Sequence, residues 1–177
     1  MKAQTGLVPY EVRLRQDGDL ALREIGNFHE GKSAVNRTLD ALCRRLEENQ
    51  IPYALMGALA LAKHGYVRAT TDIDVLMTAD GLEKFITTCV GLGYVRAFSG
   101  AKKTFRATET GVRVEVLITG EYPGDGKPKP VSFPDPAVAG VSLEGVRVVN
   151  IEELVQLKLA SGMTAAHRRK DLSDVQD

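Results

Sequence analysis

The run DIDVLM, residues 72 to 77, alternates as a β-strand does. Successive side chains of a strand point to opposite faces, so Ile73, Val75 and Met77 share one side while Asp72 and Asp74 share the other. One side is fit for a core and the other carries two like charges. That combination calls for a sheet whose apolar face is covered by helices and whose other face carries the acids. No basic residue stands between the two aspartates in sequence. Keeping both ionised requires either a nearby basic cluster or a divalent cation.

With 177 residues, 44% hydrophobic and 26% charged, the chain can bury one core and carry a modest appendage. Its 23 Lys and Arg balance 23 Asp and Glu, so no bulk field draws it to nucleic acid or to acidic membranes. Any polyanion must be met by a local patch. Cys43 and Cys89 stand far apart with no CxxC and no His-rich partner, which argues against a disulfide framework and a zinc site. Both are expected to be buried, reduced thiols. No apolar run approaches bilayer length, and MKAQTGLVPYEVRLRQ lacks the apolar core of a signal peptide. A cytoplasmic protein with no membrane partner is expected.

Residues 1–32 read as an N-terminal extension containing a short alternating piece, YEVRLRQ. Ser33 is an N-cap candidate for a helix carrying Val35, Leu39, Leu42 and Leu46 at helical spacing. YALM reads as a short buried strand, Gly57 as a turn and ALALAKH as a short helix before the DIDVLM strand. Asp80 is an N-cap candidate for a helix including Leu82, Phe85, Ile86, Cys89 and Leu92. KTFRAT and VRVEVLI then read as an antiparallel pair. Residues 120–136 hold five of the seven prolines and three glycines, which excludes a helix or a central strand there. VSLEGVRVVN returns to strand pattern, IEELVQLKLASG is helical, and a charged, helix-prone tail follows. The expected organisation is an extension (1–32), a core (33–150) and a C-terminal helical segment (151–177). The expected fold is α/β (α+β), a mixed and mostly antiparallel sheet with helices chiefly on one face.

Paired carboxylates are hard oxygen donors suited to Mg²⁺ or Mn²⁺, which bind through a few carboxylates plus substrate phosphates. A nucleotide site is the natural reading of Asp72 and Asp74. Two-metal phosphoryl chemistry needs a further carboxylate from a neighbouring strand. In VRVEVLI, Val112, Val114 and Val116 take one face and leave Glu115 on the other with Arg113 and Leu117.

The stretch LMGALALAKHGYVRATTDIDVLM, with Glu115 in a later strand and LVQLKLASGMTAAHRRKDLSD near the end, resembles the minimal nucleotidyltransferases of the DNA polymerase beta superfamily. Within that superfamily it is most similar to the AbiEii-toxin-like branch. The family signature is Gly followed by Gly or Ser, a spacer, then Asp-x-Asp. Here the pair is Gly57-Ala58 and the spacer is the 13 residues 59 to 71. Ala58 departs from the signature, and the third acid is Glu where Asp is more usual.

The resemblance implies that Asp72, Asp74 and Glu115 are catalytic and hold Mg²⁺ or Mn²⁺. It implies that Gly57, Ala58 and the backbone after them cradle the triphosphate of an NTP. Lys158, Arg168 and Asp171 match the family's Lys and its Arg-x-Lys-Asp pattern, implying phosphate contacts or their scaffold, with Arg68 a further phosphate contact. The implied reaction moves a nucleoside monophosphate to an acceptor hydroxyl on an RNA end, a protein or a small molecule. A nucleotide-binding pseudoenzyme, or an interaction module paired with a cognate antitoxin or other partner protein, is the alternative.

Several residues have a second reading from chemistry alone. Glu115 suits a metal ligand or a partner for a Lys or Arg across the sheet. Lys158 suits a snorkelling surface position, and His64 suits a carbonyl cap at a helix end. His167, Arg168, Arg169 and Lys170, like Lys102, Lys103 and Arg106, suit a solvated face or an RNA-phosphate patch. Tyr66 and Tyr94 suit base stacking or half-buried positions at strand starts.

Overall fold

The structure, a computed structural model, describes residues 6–164 and 169–176. Among these residues seven strands form one sheet: β1 (Ala54–Leu55), β2 (Asp72–Met77), β3 (Tyr94–Arg96), β4 (Thr104–Ala107), β5 (Arg113–Ile118), β6 (Gly140–Leu143) and β7 (Val146–Val149). Their order is β3-β4-β5-β2-β1-β7-β6. The β2/β5 and β1/β7 pairs are parallel and the other four antiparallel, so the sheet is mixed and mostly antiparallel. Among the described residues eight helices accompany it: α1 (Tyr10–Gln16), α2 (Gly18–His29), α3 (Ala34–Glu48), α4 (Gly57–Lys63), α5 (Ala79–Cys89), α6 (Pro136–Ala139), α7 (Ile151–Thr164) and α8 (Arg169–Gln176). Among the described residues no helix is long and apolar enough to cross a membrane.

The apolar face of the central strands makes the core. Ile73, Val75 and Met77 of β2 and Val114 and Val116 of β5 are buried together with Val35, Leu42 and Leu46 of α3 and with Phe85 and Cys89 of α5. Phe85 sits edge-on to both Phe105 and Tyr94, each about 5 Å between ring centres, which ties α5 to β3 and β4. Cys43 and Cys89 are buried and unpaired with each other. Helix α3 opens on a capping box, the Ser33 hydroxyl taking the Asn36 N–H while the Asn36 amide takes the Ser33 N–H.

Two local expectations need correction, and a third is refined. YEVRLRQ is helix α1, because Tyr10 and Leu14 also lie four apart and pack on the core. The cap of α5 is Thr78, whose hydroxyl accepts the Gly81 N–H; Asp80 instead sits in the first turn, where a carboxylate favours the helix dipole. The VSLEGVRVVN run is two strands, since Glu144 and Gly145 both take positive φ and fold it into a two-residue hairpin.

Residues before Ser33 are tied to the sheet through α1. The Tyr10 N–H donates to the Gly111 carbonyl, and Arg106 of β4 grips Glu11 through both nitrogens at 2.9 and 2.7 Å. Burial raises the Glu11 pKa, but the bonds from Arg106 and its own backbone N–H, with the charges of Arg106 and Arg113, outweigh this and leave it lowered. A depressed carboxylate contributes stability above its unfolded value, and the contribution is lost as pH falls through the folded one. Arg106→Gln is therefore expected to cost about 1–2 kcal/mol at pH 7. The loss should shrink in acid, below about pH 4. Urea unfolding at the two pH values checks both halves, and a pH-independent loss would sink the ion-pair account.

Candidate active site

The acidic face of β2 is built by its register with β5. Asp72 stands opposite Arg113 and Asp74 opposite Glu115, so four charged side chains share one side of two neighbouring strands. They line, or lie beside, a cleft of about 570 Å³. Its wall includes Asp72, Asp74 and Glu115, the Gly57-Ala58 corner, Arg68, and Lys158 of α7.

Gly57 lies where β1 meets α4 at φ +61°. A Cβ there would overlap Oδ2 of Asp74 and stand 3.2 Å from its Cγ, so the corner is shaped around that carboxylate. Ala58, next to it, is buried inside α4 and is not among the positive-φ residues. Its methyl group is therefore accommodated without backbone strain.

Part of the charge balance of the acidic face comes from Arg113, which the sequence reading named only as a neighbour of Glu115. Arg113 Nη2 donates to Asp72 Oδ2 at 2.7 Å and lies 3.5 Å from Glu115 Oε2. The Thr70 hydroxyl donates to the other oxygen of Asp72 at 2.7 Å. Burial lowers the Arg113 pKa, but the bond to Asp72 and the charges of Asp72, Glu115 and Asp74 outweigh it and raise the value above the usual one. Chemically, the three acids are the right donors for a hard cation. With Arg113 among them they are not gathered around a point: among the described residues no group of three His, Cys, Asp or Glu side chains stands in the arrangement that surrounds a metal.

The second cationic edge of the cleft is also paired. Lys158 is a buried residue rather than a snorkelling one, bonded to Asp174 at 2.8 Å and to Asp171 at 3.2 Å. Arg68 reaches the same Asp174 at 2.8 Å, and Ser161 donates to Asp171 at 2.7 Å. Asp174 thus links the loop before β2 to both terminal helices. Its importance was invisible in sequence, where only the i, i+3 relation to Asp171 hints at a shared helix face. Arg168 and His167 lie outside the described residues.

The Pro- and Gly-rich segment closes one side of the cleft with Glu121, Tyr122, Pro123 and Gly124. Glu121 pairs with Lys103, and Lys129 bonds to Thr164 of α7 at 3.2 Å. Of the remaining candidates, Arg106 is taken by Glu11. His64 bonds through Nε2 to the Val149 carbonyl of β7, and Tyr94 is buried against Phe85.

No protein-family model matches the sequence, and no curated protein is significantly similar to it. Solved structures do match in fold. A proposed nucleotidyltransferase from Thermotoga maritima is 21% identical, with a TM-score of 0.53 over 78% of this chain and 92% of that one. ANT(2″)-Ia, solved with adenylyl-2″-tobramycin, is 15% identical, with a TM-score of 0.50 over 78% and 86% of the two chains. An antigenic nucleotidyltransferase-like protein from Paracoccidioides brasiliensis is 18% identical, with a TM-score of 0.52 over 78% and 72%. The chain therefore has the nucleotidyltransferase fold, with its acidic strands β2 and β5 facing the cleft.

Proposed function

We propose that the protein transfers a nucleoside monophosphate from an NTP to an acceptor hydroxyl, releasing pyrophosphate. The observation that carries this reading is the meeting in one cleft of Asp72, Asp74 and Glu115 with the Gly57-Ala58 corner and the cations Arg68 and Lys158. An acidic end and an end that carries Arg68 and Lys158, ion-paired to Asp171 and Asp174, in a single cleft suit a nucleotide whose reacting phosphorus sits between them. The acceptor oxygen bonds to the α-phosphorus, the bond to the bridging oxygen of the β-phosphate breaks, and the hydroxyl proton passes to a carboxylate of the site. Asp72, Asp74 and Glu115 would hold Mg²⁺ or Mn²⁺, which when bound supplies charge neutralisation at the attacking and leaving oxygens. Gly57, Ala58, Arg68 and Lys158, with Arg168, would meet the phosphates.

The finer placement in the AbiEii-toxin-like branch rests on the motif register from Gly57 to Asp74 and on Lys158 and Asp171. It brings with it an RNA or protein acceptor and a cognate antitoxin as candidate partners. A small-molecule acceptor has a fold-level parallel in the adenylylated tobramycin of ANT(2″)-Ia. The test is label transfer from each α-labelled NTP, with Mg²⁺ or Mn²⁺, to total RNA, protein and small hydroxyl compounds, with Asp74→Ala as control. Label that moves with wild type and not with the variant supports the reading, and its destination names the acceptor class. Binding of NTP without transfer by wild type would favour a nucleotide-binding pseudoenzyme, an alternative to which the ion pairing of Arg113 within the acidic face lends weight.

A further inference from the structure

The acidic face raises a problem that the proposed reaction does not solve. Three carboxylates would hold a cation when nucleotide arrives, yet the same three must coexist before it does. Arg113 stands where it can answer both halves. It projects from β5 on the same face as Glu115, two residues away, and directly across from Asp72. Its guanidinium bonds to Asp72 at 2.7 Å, lies 3.5 Å from Glu115, and feels the charge of Asp74 as well. On its other side the antiparallel pairing sets it opposite Arg106. Arg106 is itself neutralised by Glu11 through two bonds. The row across the sheet thus reads Glu11, Arg106, Arg113, Asp72, with like charges adjacent only between the two arginines. Because Arg106 is already satisfied by Glu11, Arg113 is left to pair with the carboxylates of the cleft.

We propose that Arg113 is the resident counter-ion of the carboxylate site, holding Asp72 and Glu115 in place of a divalent cation and giving way when the cation enters. The inference rests on the metal-dependent reading above. It accounts for the absence of a gathered metal-binding group among the described residues, since a guanidinium 2.7 Å from Asp72 occupies the space an ion would share with that carboxylate. A guanidinium is bulkier than a bare cation and bonds along fixed directions, so it draws Asp72 and Glu115 toward its own geometry. Occupant and metal therefore compete for the same oxygens. By linkage, whatever the ion pair contributes to the empty site is subtracted from metal affinity.

The test is Mn²⁺ binding, followed by the electron paramagnetic resonance of the free ion, in wild type, Arg113→Met and Arg113→Lys. Removing a competing cation should tighten Mn²⁺ binding by about tenfold or more in Arg113→Met. The lysine variant should fall back toward wild type, because its charge can still reach the carboxylates. In wild type labelled with [ε-¹⁵N]arginine, Mg²⁺ should shift the Arg113 Nε–H resonance, a readout that needs no variant to fold. Equal Mn²⁺ affinity in all three chains, or an unmoved resonance at saturating Mg²⁺, overturns the proposal alone. Weaker binding in Arg113→Met also overturns it, making Arg113 a support for the ligands. Absence of Mn²⁺ binding in every chain overturns this proposal and the metal-dependent reading together.

Discussion

Gly57→Ala is expected to reduce the proposed nucleotidyl transfer by roughly a hundredfold or more while leaving the protein folded. Two costs arise at that position. An L-residue at φ +61° is strained, by about 1–2 kcal/mol. The larger effect is steric: the new Cβ would overlap the Oδ2 of Asp74, with Cγ at 3.2 Å and the Asp74 Cβ at 3.4 Å. The backbone there is tied down, because the Met56 N–H donates to the Asp74 carbonyl at 2.9 Å, so relief must come from rotation of the Asp74 side chain. Rotation changes where the carboxylate sits relative to Glu115, its neighbour across β2 and β5. Melting temperature and label transfer measured on the same preparation separate the two costs. A modest fall in the first with collapse of the second is the expected pair, and full transfer by Gly57→Ala would show that this corner does not set the position of Asp74.

How much of this site could be read from the chain depends on the range of the physics involved. Alternation along β2 and β5 is local, so the separation of Asp72, Asp74 and Glu115 from Ile73, Val75 and Val114 was legible residue by residue. Helices α3 and α7 were legible for the same reason, each carrying its own periodic apolar positions. The N-terminal helix α1 was not, because seven residues admit both periods and the decision falls to Tyr10 and to Arg106 on a distant strand. Arg113 was noticed only as a neighbour of Glu115. Its bond to Asp72 depends on a parallel register between strands separated by the whole of α5, β3 and β4, and no local pattern encodes that register. Lys158 illustrates the same limit in reverse. A lysine on an amphipathic helix ordinarily reaches water, and here a second helix supplies two carboxylates that make burial tolerable.

Those carboxylates set the other large expected effect: Asp174→Ala should cost about 3–5 kcal/mol, the scale of removing one partner from a buried ion pair. Asp174 is 7% exposed and accepts from both Lys158 and Arg68. Its loss leaves the Lys158 ammonium, 7% exposed, with Asp171 alone at 3.2 Å. Burial raises the Asp174 pKa, but the bonds and charges of Arg68 and Lys158 outweigh this and hold it below the usual carboxylate range. The sign follows from linkage. The stabilisation is full above the unfolded value, about 3.9, and is lost as pH falls through the lower folded value. Urea unfolding of wild type and Asp174→Ala should therefore show its widest gap near pH 7 and a narrower one in acid. A gap that stays under about 1 kcal/mol at pH 7 would mean that α8 is held by other contacts, such as Leu172 against Gly162. The same substitution bears on the cleft, because Arg68 and Lys158 line it. With Asp174 gone their charges are less compensated but also less fixed. If Asp174 acts as a positioning residue, nucleotide affinity falls despite the extra positive charge; a rise would mean that it restrains two cations otherwise free to meet phosphate.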